Sequence, residues 1–293
     1  MALLDVARPL LPHLAACVTF FFNRERLVYL TTVVSNYLGL ATKTDIYIIT
    51  NVGNADTREE ISAALPAMPD SATLHFVTPT QIGHPYLLTW THREIFLEIE
   101  RAKLASHFLY SEDDLAITYD NVAYWLRVRE RLRPYGFIPS FFRVEQHPVD
   151  GHWYSTDCKS TIKLFRQARL DLEGSTYICP SNPYQGTYLM DRELMEEFST
   201  SPAFSPDFGY LAIREKAAQG LTFANVPPGF SSRNLLLVDL DKQRVPEETW
   251  VHHLPNNYVS DPSSPFGKVP MSEVLVTSRA AFVQRKLRRL LAG

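Results

Sequence analysis

The fold is decided by the stretch His107-Phe108-Leu109-Tyr110-Ser111-Glu112-Asp113-Asp114-Leu115. A short apolar run leads directly into three consecutive carboxylates, and an apolar residue follows them. Adjacent negative charges repel each other and resist burial, so such a cluster is tolerated at a solvated edge or beside a cation. The pattern predicts a strand that ends at the carboxyl edge of an α/β sheet, where ligand sites concentrate.

Segments typical of strands and of helices alternate along the chain. The predicted strands are Ala15–Phe22, Asp45–Thr50, Thr73–Val77, His107–Tyr110, Phe137–Val144 and Leu221–Val226. The predicted helices are one from Leu27 that stops at Gly39, then Thr57–Leu65, Leu87–Ala105, Asn121–Leu132, Asp191–Phe198 and Ser205–Gln219. Such alternation predicts an α/β fold with a doubly wound, mostly parallel sheet, and a loop-rich region follows over residues 145–180.

Composition and charge narrow the class of protein. The 293 residues are 45% hydrophobic and 21% charged, which is typical of a globular chain, and the net charge of −3 argues against a nucleic-acid partner. Three cysteines form no disulfide framework, which favours a reducing, cytoplasmic compartment. The first strand-to-helix turn lacks a glycine-rich dinucleotide fingerprint, so a nicotinamide or flavin enzyme is disfavoured.

The order of these features resembles the nucleotide-sugar glycosyltransferases of the GT-A type. VTFFFNRERLVYLTTVVSNYLG (18–39) is similar to their opening nucleotide-binding unit, and Glu112-Asp113-Asp114 resembles their acidic DxD motif with Glu112 in place of the first Asp. YQGTYLMDRELMEEF (184–198) and PDFGYLAIREKAAQG (206–220) are similar to their acceptor-side segment. The chain departs from the family pattern at one position. Asp207 stands alone where the family shows adjacent Glu-Asp, and Glu215 follows a little over two helical turns later.

This resemblance implies one GT-A-like domain over residues 1–293. It divides into a nucleotide-sugar-binding half (about 13–145), a loop-rich acceptor-side half (about 146–260) and a tail with a basic helix (261–293). The implied reaction moves a sugar from a nucleoside-diphosphate sugar, most simply a UDP-sugar, to a hydroxyl of a glycan or glycolipid in surface polysaccharide synthesis. A nucleotidyltransferase and a catalytically silent glycan-binding module of the same fold are the alternatives.

A divalent cation, Mn²⁺ or Mg²⁺, is the cofactor that the resemblance implies. Residues i and i+2 of an extended segment face the same side, so Glu112 and Asp114 are expected to face one site. The family habit assigns Asp114 to the metal, Glu112 to the metal or the donor ribose, and a late histidine, His253 or else His252, to the metal shell. Alternatively, the three acids cap the Asn121 helix or a turn before it.

Donor-binding candidates follow the predicted strands. They are Phe22, Asn23, Arg24, Thr50, Asn51, His92 and Arg93, together with Glu112 and Asp113 of the acidic cluster. Arg24 or Arg26 can pair with a diphosphate in bidentate fashion, or with a nearby acid in the folded chain. His92 and Arg93 are donor contacts by family habit, or else part of a helix surface.

Acceptor-side candidates lie in the later segment. Asp207, as the first choice, and Glu215 are candidates for the base that an inverting reaction needs, or else a helix cap and a surface charge. The acceptor-binding candidates are Tyr184, Gln185 and Gly186, or else a hairpin that needs glycine for its backbone. The basic amphipathic tail from Ser278 to Leu291 predicts either peripheral contact with the inner membrane face or a helix packed on the core.

Overall fold

The structure is a computed structural model, and it describes residues 8–80 and 82–283. Residue contacts divide the chain into two compact units. The first unit contains the chain up to Ala123 together with Gly186–Leu221, and the second contains Tyr124–Gln185 together with the chain from Thr222 onward. Each unit has its own β-structure and its own buried side chains.

The strands alternate with helices in the first half of the chain and are shorter in the second half. They are β1 (Leu11–Phe20), β2 (Ala41–Thr50), β3 (Ala72–Val77), β4 (His107–Glu112), β5 (Leu115–Ala116), β6 (Ile138–Pro139), β7 (Phe142–Gln146), β8 (Trp153–Ser155), β9 (Ile162–Lys163), β10 (Arg169–Leu172), β11 (Ser175–Ile178), β12 (Thr187–Asp191), β13 (Asn234–Val238), β14 (Trp250–His253), β15 (Val269–Pro270) and β16 (Leu275–Val276).

The helices are of the α type and the 3₁₀ type. The α-helices are α1 (Leu27–Tyr37), α2 (Ala55–Ala64), α3 (His92–Arg101), α4 (Tyr119–Leu132), α5 (Arg192–Thr200), α6 (Ile213–Ala217) and α7 (Asn257–Ser260). The 3₁₀ helices are Arg24–Arg26, Pro85–Thr91, Arg133–Tyr135, Leu164–Arg166, Pro202–Phe204, Glu247–Thr249 and Met271–Glu273. The boundary between the two units falls inside α4.

The first unit is built on one five-stranded sheet with the order β12-β4-β1-β2-β3. Strands β1 to β4 are parallel, and β12 pairs antiparallel with β4. The chain proceeds from β1 through β2 to β3 on one side and then returns to place β4 on the other side of β1. The strand order therefore reverses between β1 and β4, which is the topological switch point of an open α/β sheet. The predicted α/β class is confirmed, and the unit is compatible with a Rossmann-like fold.

The centre of this sheet is apolar on both faces, as its sequence requires. Residues 14–18 of β1 are fully buried between β2 and β4. Helix α3 covers the face that carries Phe108 and places the ring of Phe96 5.4 Å from it. Burial of one such side chain contributes about 1.5–3 kcal/mol, so the sheet holds its carboxyl ends in fixed positions.

The second unit contains short strands in small sheets. Strands β10, β11, β13 and β6 lie side by side in that order, as do β15, β8, β7 and β14, and β16 pairs with β9. A cluster of apolar side chains joins these sheets, among them Phe142, Ile178, Leu236, Val245 and Leu275.

Several predicted elements differ from those in the structure. The predicted helix Ser205–Gln219 is wrong, because the chain is helical only in α6 and Gly209 adopts a left-handed φ of 96°. The predicted strand Leu221–Val226 is also wrong, because turns occupy that segment and the strand of this region is β13. The predicted helix Leu87–Ala105 begins as the 3₁₀ helix Pro85–Thr91, and α3 ends at Arg101.

Two further differences concern the middle of the chain. The predicted strand Phe137–Val144 is divided into β6 and β7, which belong to different sheets. The segment 145–180, predicted as loop-rich, contains β8 to β11. Within residues 8–80 and 82–283, no helix is long and apolar enough to cross a membrane. Most of the predicted basic helix falls in residues 284–293, which lie outside the described residues.

Gly267 and Gly229 provide a matched test of backbone packing in the second unit. Both have a positive φ, 69° and 87°, which costs an L-residue about 1 kcal/mol. A Cβ on Gly267 would lie 2.6 Å from backbone atoms of Tyr258 and Val259, whereas Gly229 has open space. We expect Gly229→Ala to lower the free energy of unfolding by about 1 kcal/mol and Gly267→Ala by about 3 kcal/mol or more, measured by urea denaturation. Equal losses would contradict this packing.

Candidate functional site

The acidic cluster lies at the carboxyl end of β4, beside the switch point. Glu112 is the last residue of β4, and Asp113 and Asp114 form a turn that leads into β5. The prediction that Glu112 and Asp114 face the same side assumed an extended segment, and this premise is wrong because the backbone turns at Asp113 and Asp114. The backbone N–H of Glu112 donates to the carbonyl of Gly186, 3.3 Å away, which joins this end of β4 to the start of β12.

The guanidinium of Arg26 is the cation that pairs with the acidic cluster at the end of β4. It lies in the 3₁₀ turn that follows β1, and β1 is the parallel neighbour of β4. Its Nε and Nη2 donate to the two carboxylate oxygens of Asp113 at 2.8 and 2.7 Å, and Nη2 also donates to Oδ2 of Asp114 at 2.8 Å. One guanidinium thus connects the ends of the two strands that flank the switch point. The carboxylates are nearly buried, whereas about a third of the Arg26 side chain is exposed.

The charges of Arg26 and Asp114 both affect the pKa of Asp113. Burial raises the pKa of Asp113 to about 6, the Arg26 guanidinium opposes this rise, and the neighbouring Asp114 adds to it. The hydrogen bond to Asp113 raises the pKa of Arg26, so the guanidinium stays charged. Two carboxylates around one cation give a net charge of about −1 at neutral pH, and the cluster takes up a proton as the pH falls through about 6.

The other residues at this edge have local partners. The side chain of Asn23 caps the 3₁₀ turn by accepting from the N–H of Glu25 at 2.9 Å. Asn51 accepts from the backbone N–H of Phe22 at 2.8 Å and so ties the end of β2 to the end of β1. Thr50 is fully buried.

Arg24 is exposed, and its Nε donates to Glu60 of α2 at 2.6 Å. Arg24 and Arg26 therefore each pair with acids of the first unit. Pairing with a nearby acid was the alternative to binding a diphosphate. Their assignment as donor contacts stays a prediction.

His92 and Arg93 lie at the start of α3. The His92 ring is fully buried, 4.2 Å from the Tyr110 ring, and its Nδ1 lies 2.5 Å from the carbonyl of Thr89. Burial lowers the pKa of His92 to about 3, so the imidazole is neutral at physiological pH. The Arg93 guanidinium lies between the rings of Trp90 and Phe204, at 5.0 and 5.2 Å from their centroids. Both residues therefore pack within the first unit, and their role as donor contacts stays a prediction.

The two candidate bases lie on one segment of the first unit. Asp207 is exposed in the loop before α6, where its backbone N–H donates to Ser205 Oγ at 3.2 Å. It is not a helix cap, because the predicted helix does not begin there. Glu215 lies in α6 and pairs with Arg214 at 3.1 Å. Asp207 is thus the more accessible carboxylate.

The acceptor-binding candidates fall on the boundary between the units. Tyr184 and Gln185 belong to the second unit, where the Arg143 guanidinium lies 4.6 Å from the Tyr184 ring centroid and Gln185 accepts from the N–H of Phe141 at 2.5 Å. Gly186 belongs to the first unit and has a φ of 67°, a conformation that favours glycine. This agrees with the alternative explanation, in which the position needs glycine for its backbone.

His253, the candidate late ligand, is in the second unit and is nearly buried. Its Nδ1 lies 2.6 Å from Oε1 of Glu145, a fully buried carboxylate that also accepts from the backbone N–H of Val259 at 2.6 Å. Sequence reasoning missed Glu145. The available signal was a single acid in the strand-like segment FFRVEQ, because a buried carboxylate requires a partner. The neighbouring His252 pairs through Nε2 with Asn256 at 2.9 Å.

The donor atoms of the acidic turn suit a hard cation. Among the described residues, no group of three or more His, Cys, Asp or Glu side chains is arranged to hold a metal ion. Both oxygens of Asp113 and Oδ2 of Asp114 accept from Arg26, so the candidate ligand atoms are the carboxylate of Glu112 and Oδ1 of Asp114. Carboxylate oxygens are the ligands that Mg²⁺ prefers, and one or two of them suffice when substrate phosphates complete its shell. The residues present therefore fit such an ion in their chemistry.

Comparison with protein-family models and with curated proteins gives no match to this chain.

Arg26 should contribute to stability by neutralising the turn. We expect Arg26→Met to lower the free energy of unfolding by about 2–3 kcal/mol at pH 8, because it leaves two buried carboxylates without their cation. The loss should shrink at pH 5, where Asp113 takes up a proton. The exposed Arg24→Met should change stability by less than about 0.5 kcal/mol at either pH. Equal effects of the two substitutions in urea titrations would contradict this assignment.

His92 should make stability depend on pH. Its pKa is lower in the folded chain than in the unfolded chain, so the unfolded state alone gains a proton as the pH falls below about 6.5. This linkage removes about 2 kcal/mol of stability between pH 7.5 and pH 5. We expect His92→Gln to reduce the pH dependence by that amount in urea titrations and the exposed His152→Gln to leave it unchanged. An unaltered slope in His92→Gln would show that His92 is not buried in its neutral form.

Proposed function

We propose that the chain is a metal-dependent glycosyltransferase that moves a sugar from a nucleoside-diphosphate sugar, in the first instance a UDP-sugar, to a hydroxyl of a glycan or glycolipid. The observation that carries the proposal is the position of the acidic turn and Arg26 on the two sides of the switch point. Ligands of open α/β sheets bind in the crevice at this point. The resemblance to GT-A enzymes agrees with that position.

The charge at this edge suits a divalent ion together with a diphosphate. Arg26 and the three acids sum to about −2, which attracts a cation but repels a free diphosphate. Mn²⁺ or Mg²⁺, held by Glu112 and Asp114, would neutralise this charge and act as a Lewis acid toward the leaving diphosphate. In this proposal Asp113 fixes Arg26, which orients the turn.

Neighbouring residues of the first unit supply the remaining parts of the proposed site. Asn23 and Asn51 shape the backbone at the ends of β1 and β2, where the nucleoside would lie. Asp207 is the proposed base for the acceptor hydroxyl, because it is exposed, and Glu215 is the second choice. His253 stays a predicted metal ligand, and in the second unit its Nδ1 lies 2.6 Å from Oε1 of Glu145.

The proposal is tested first by binding. Calorimetry with UDP should give an affinity that falls at least about tenfold when MnCl₂ is replaced by EDTA, since the cation offsets the charge of the turn. Glu112→Gln and Asp114→Asn should each reproduce that loss in the presence of MnCl₂, whereas the exposed Asp70→Asn should bind as the wild type does. Glu112→Gln leaves the Arg26 contacts intact and so separates a loss of the ligand site from a loss of folding.

The reaction is tested next with UDP-glucose, UDP-galactose, UDP-N-acetylglucosamine and UDP-N-acetylgalactosamine, with release of UDP as the readout. Metal-dependent UDP binding without UDP release would favour the glycan-binding module of the same fold. Release of pyrophosphate from UTP and a sugar phosphate would favour a nucleotidyltransferase. UDP affinity that is indifferent to Mn²⁺ and to Asp114→Asn would refute the proposal.

A further inference from the structure

Two segments of the second unit carry several cations and no acid. The first covers residues 158–170, and the second covers residues 274–293, which the structure describes as far as Val283. The whole chain has 29 Lys and Arg against 32 Asp and Glu, so these segments depart locally from its overall charge. The cations of the first segment are Lys159, Lys163, Arg166 and Arg169, and those of the second are Arg279, Arg285, Lys286, Arg288 and Arg289.

The described parts of the two segments pack against each other. Strand β16 pairs in parallel with β9, so Val276 is the partner of Lys163. Two residues after β16, the Oγ of Ser278 accepts from the N–H of Ala281 at 3.1 Å and begins a helical turn over residues 279–283. Cations that lie more than 100 residues apart in the sequence therefore share one surface of the second unit.

Two contacts between cations and aromatic rings join this helical turn to the first segment. Nζ of Lys163 lies 4.4 Å from the ring centroid of Phe282, and the Arg279 guanidinium lies 5.9 Å from the ring centroid of Phe165. Each segment thus supplies one cation and one ring to the other. Arg279 is exposed and Lys163 is partly exposed, so both charges remain accessible to water.

The side chains of the first segment divide between the core and this surface. Ile162 and Leu164 are buried in the apolar cluster of the second unit, whereas Lys163, Phe165 and Arg166 reach solvent. The fold therefore buries the aliphatic residues of the segment and leaves its cations and its ring outside.

The acids that flank the first segment have partners of their own. Asp157 is nearly buried and accepts from Arg143 at 2.5 and 3.0 Å, and Asp171 lies 3.2 Å from Nε of Arg169. Within residues 8–80 and 82–283, Arg166 forms no ion pair. The positive charge of the surface is therefore not cancelled by the neighbouring acids.

A surface of this composition suits the interface of an anionic membrane. Its cations attract negative lipid headgroups, and its rings and Val283, which is 54% exposed, supply apolar area for the boundary between headgroups and acyl chains. The rings are poor platforms for nucleic-acid bases, because a cation already lies over a face of each. The combination therefore favours a bilayer over a nucleic acid.

We infer that the basic-aromatic surface, formed by Lys163, Phe165, Arg166, Arg279 and Phe282, binds the anionic headgroups of a lipid bilayer. The sequence left membrane contact and packing on the core as alternatives for the tail. The described helical turn packs on the second unit and adds its cation to this surface, so the two alternatives are compatible. The binding requires neither a donor nor a metal ion, and it is independent of the proposed glycosyl transfer.

Vesicle flotation with the full chain tests the inference. We expect the wild type to float with vesicles of phosphatidylcholine and phosphatidylserine at a ratio of about 3:1 and to stay unbound with phosphatidylcholine alone. Binding should weaken steeply between about 0.1 and about 0.5 M NaCl, because salt screens the headgroup charge. Each Lys or Arg near an anionic surface raises the affinity about fivefold, so Lys163→Gln, Arg166→Gln and Arg279→Gln together should lower it at least about 25-fold.

A matched control removes the same charges elsewhere on the second unit. Arg131→Gln, Lys242→Gln and Arg244→Gln together also replace one lysine and two arginines, and they should keep the affinity for vesicles within about twofold of the wild type. Arg166→Gln alone changes one exposed side chain and should lower the affinity about fivefold. This single variant keeps the test decisive if the triple variant at the surface is unstable.

Three results would overturn the inference. They are no binding of the wild type to anionic vesicles, equal binding of the wild type and the surface variants, and binding to a DNA duplex in fluorescence anisotropy without binding to vesicles. Vesicle binding that depends on Lys163, Arg166 and Arg279, in a chain that releases no UDP from any donor, would support the basic-aromatic surface and contradict only the proposed transferase.

Discussion

The contact between Arg26 and the Asp113-Asp114 turn is the interaction on which the described site depends. A sheet whose central strands are buried on both faces fixes where β1 and β4 end, and their carboxyl ends meet because the strands are parallel neighbours. The sequence places three acids at one of these ends and an arginine at the other. Without the guanidinium, two nearly buried carboxylates would repel each other, so the fold at this edge requires the cation that the turn after β1 supplies.

The same contact limits what any ligand can do there. Arg26 already neutralises one of the two aspartates, so a metal ion must bind in addition to the arginine. The three acids and Arg26 together carry a charge of about −2, which a divalent cation neutralises, and only then does the site no longer repel a diphosphate. Binding of the cation first and of the diphosphate second requires no rearrangement of the turn. It also explains why Glu112, which lies on β4 itself, is a more informative position for the ligand hypothesis than Asp113, whose two oxygens hold Arg26.

The sequence predicted the first four strands and the acidic edge because those signals are local. Continuous apolar runs identify buried strands, and three adjacent acids after such a run identify a strand end. The predicted helix at Ser205–Gln219 was wrong because side-chain contacts override the local pattern: Gly209 adopts a positive φ, and the amide of Gln219 donates to the carbonyl of Phe208. Likewise, no local sequence pattern predicts that Arg24 pairs with Glu60 whereas Arg26 pairs with the acidic turn after β4. That choice depends on the direction in which a three-residue 3₁₀ helix projects each side chain.

The loop found in place of the predicted helix leaves Asp207 and Tyr210 exposed. Had Ser205–Gln219 formed a regular helix, Asp207 would have been a first-turn carboxylate and Tyr210 one ring on a helix face. Instead, the side chains of Lys216 and Gln219 donate to carbonyls of residues 206–208, and the segment cannot form one continuous helix. Intramolecular hydrogen bonds that hold an aromatic ring in water do not bury apolar area and so stabilise the chain less than a helix packed on the core would.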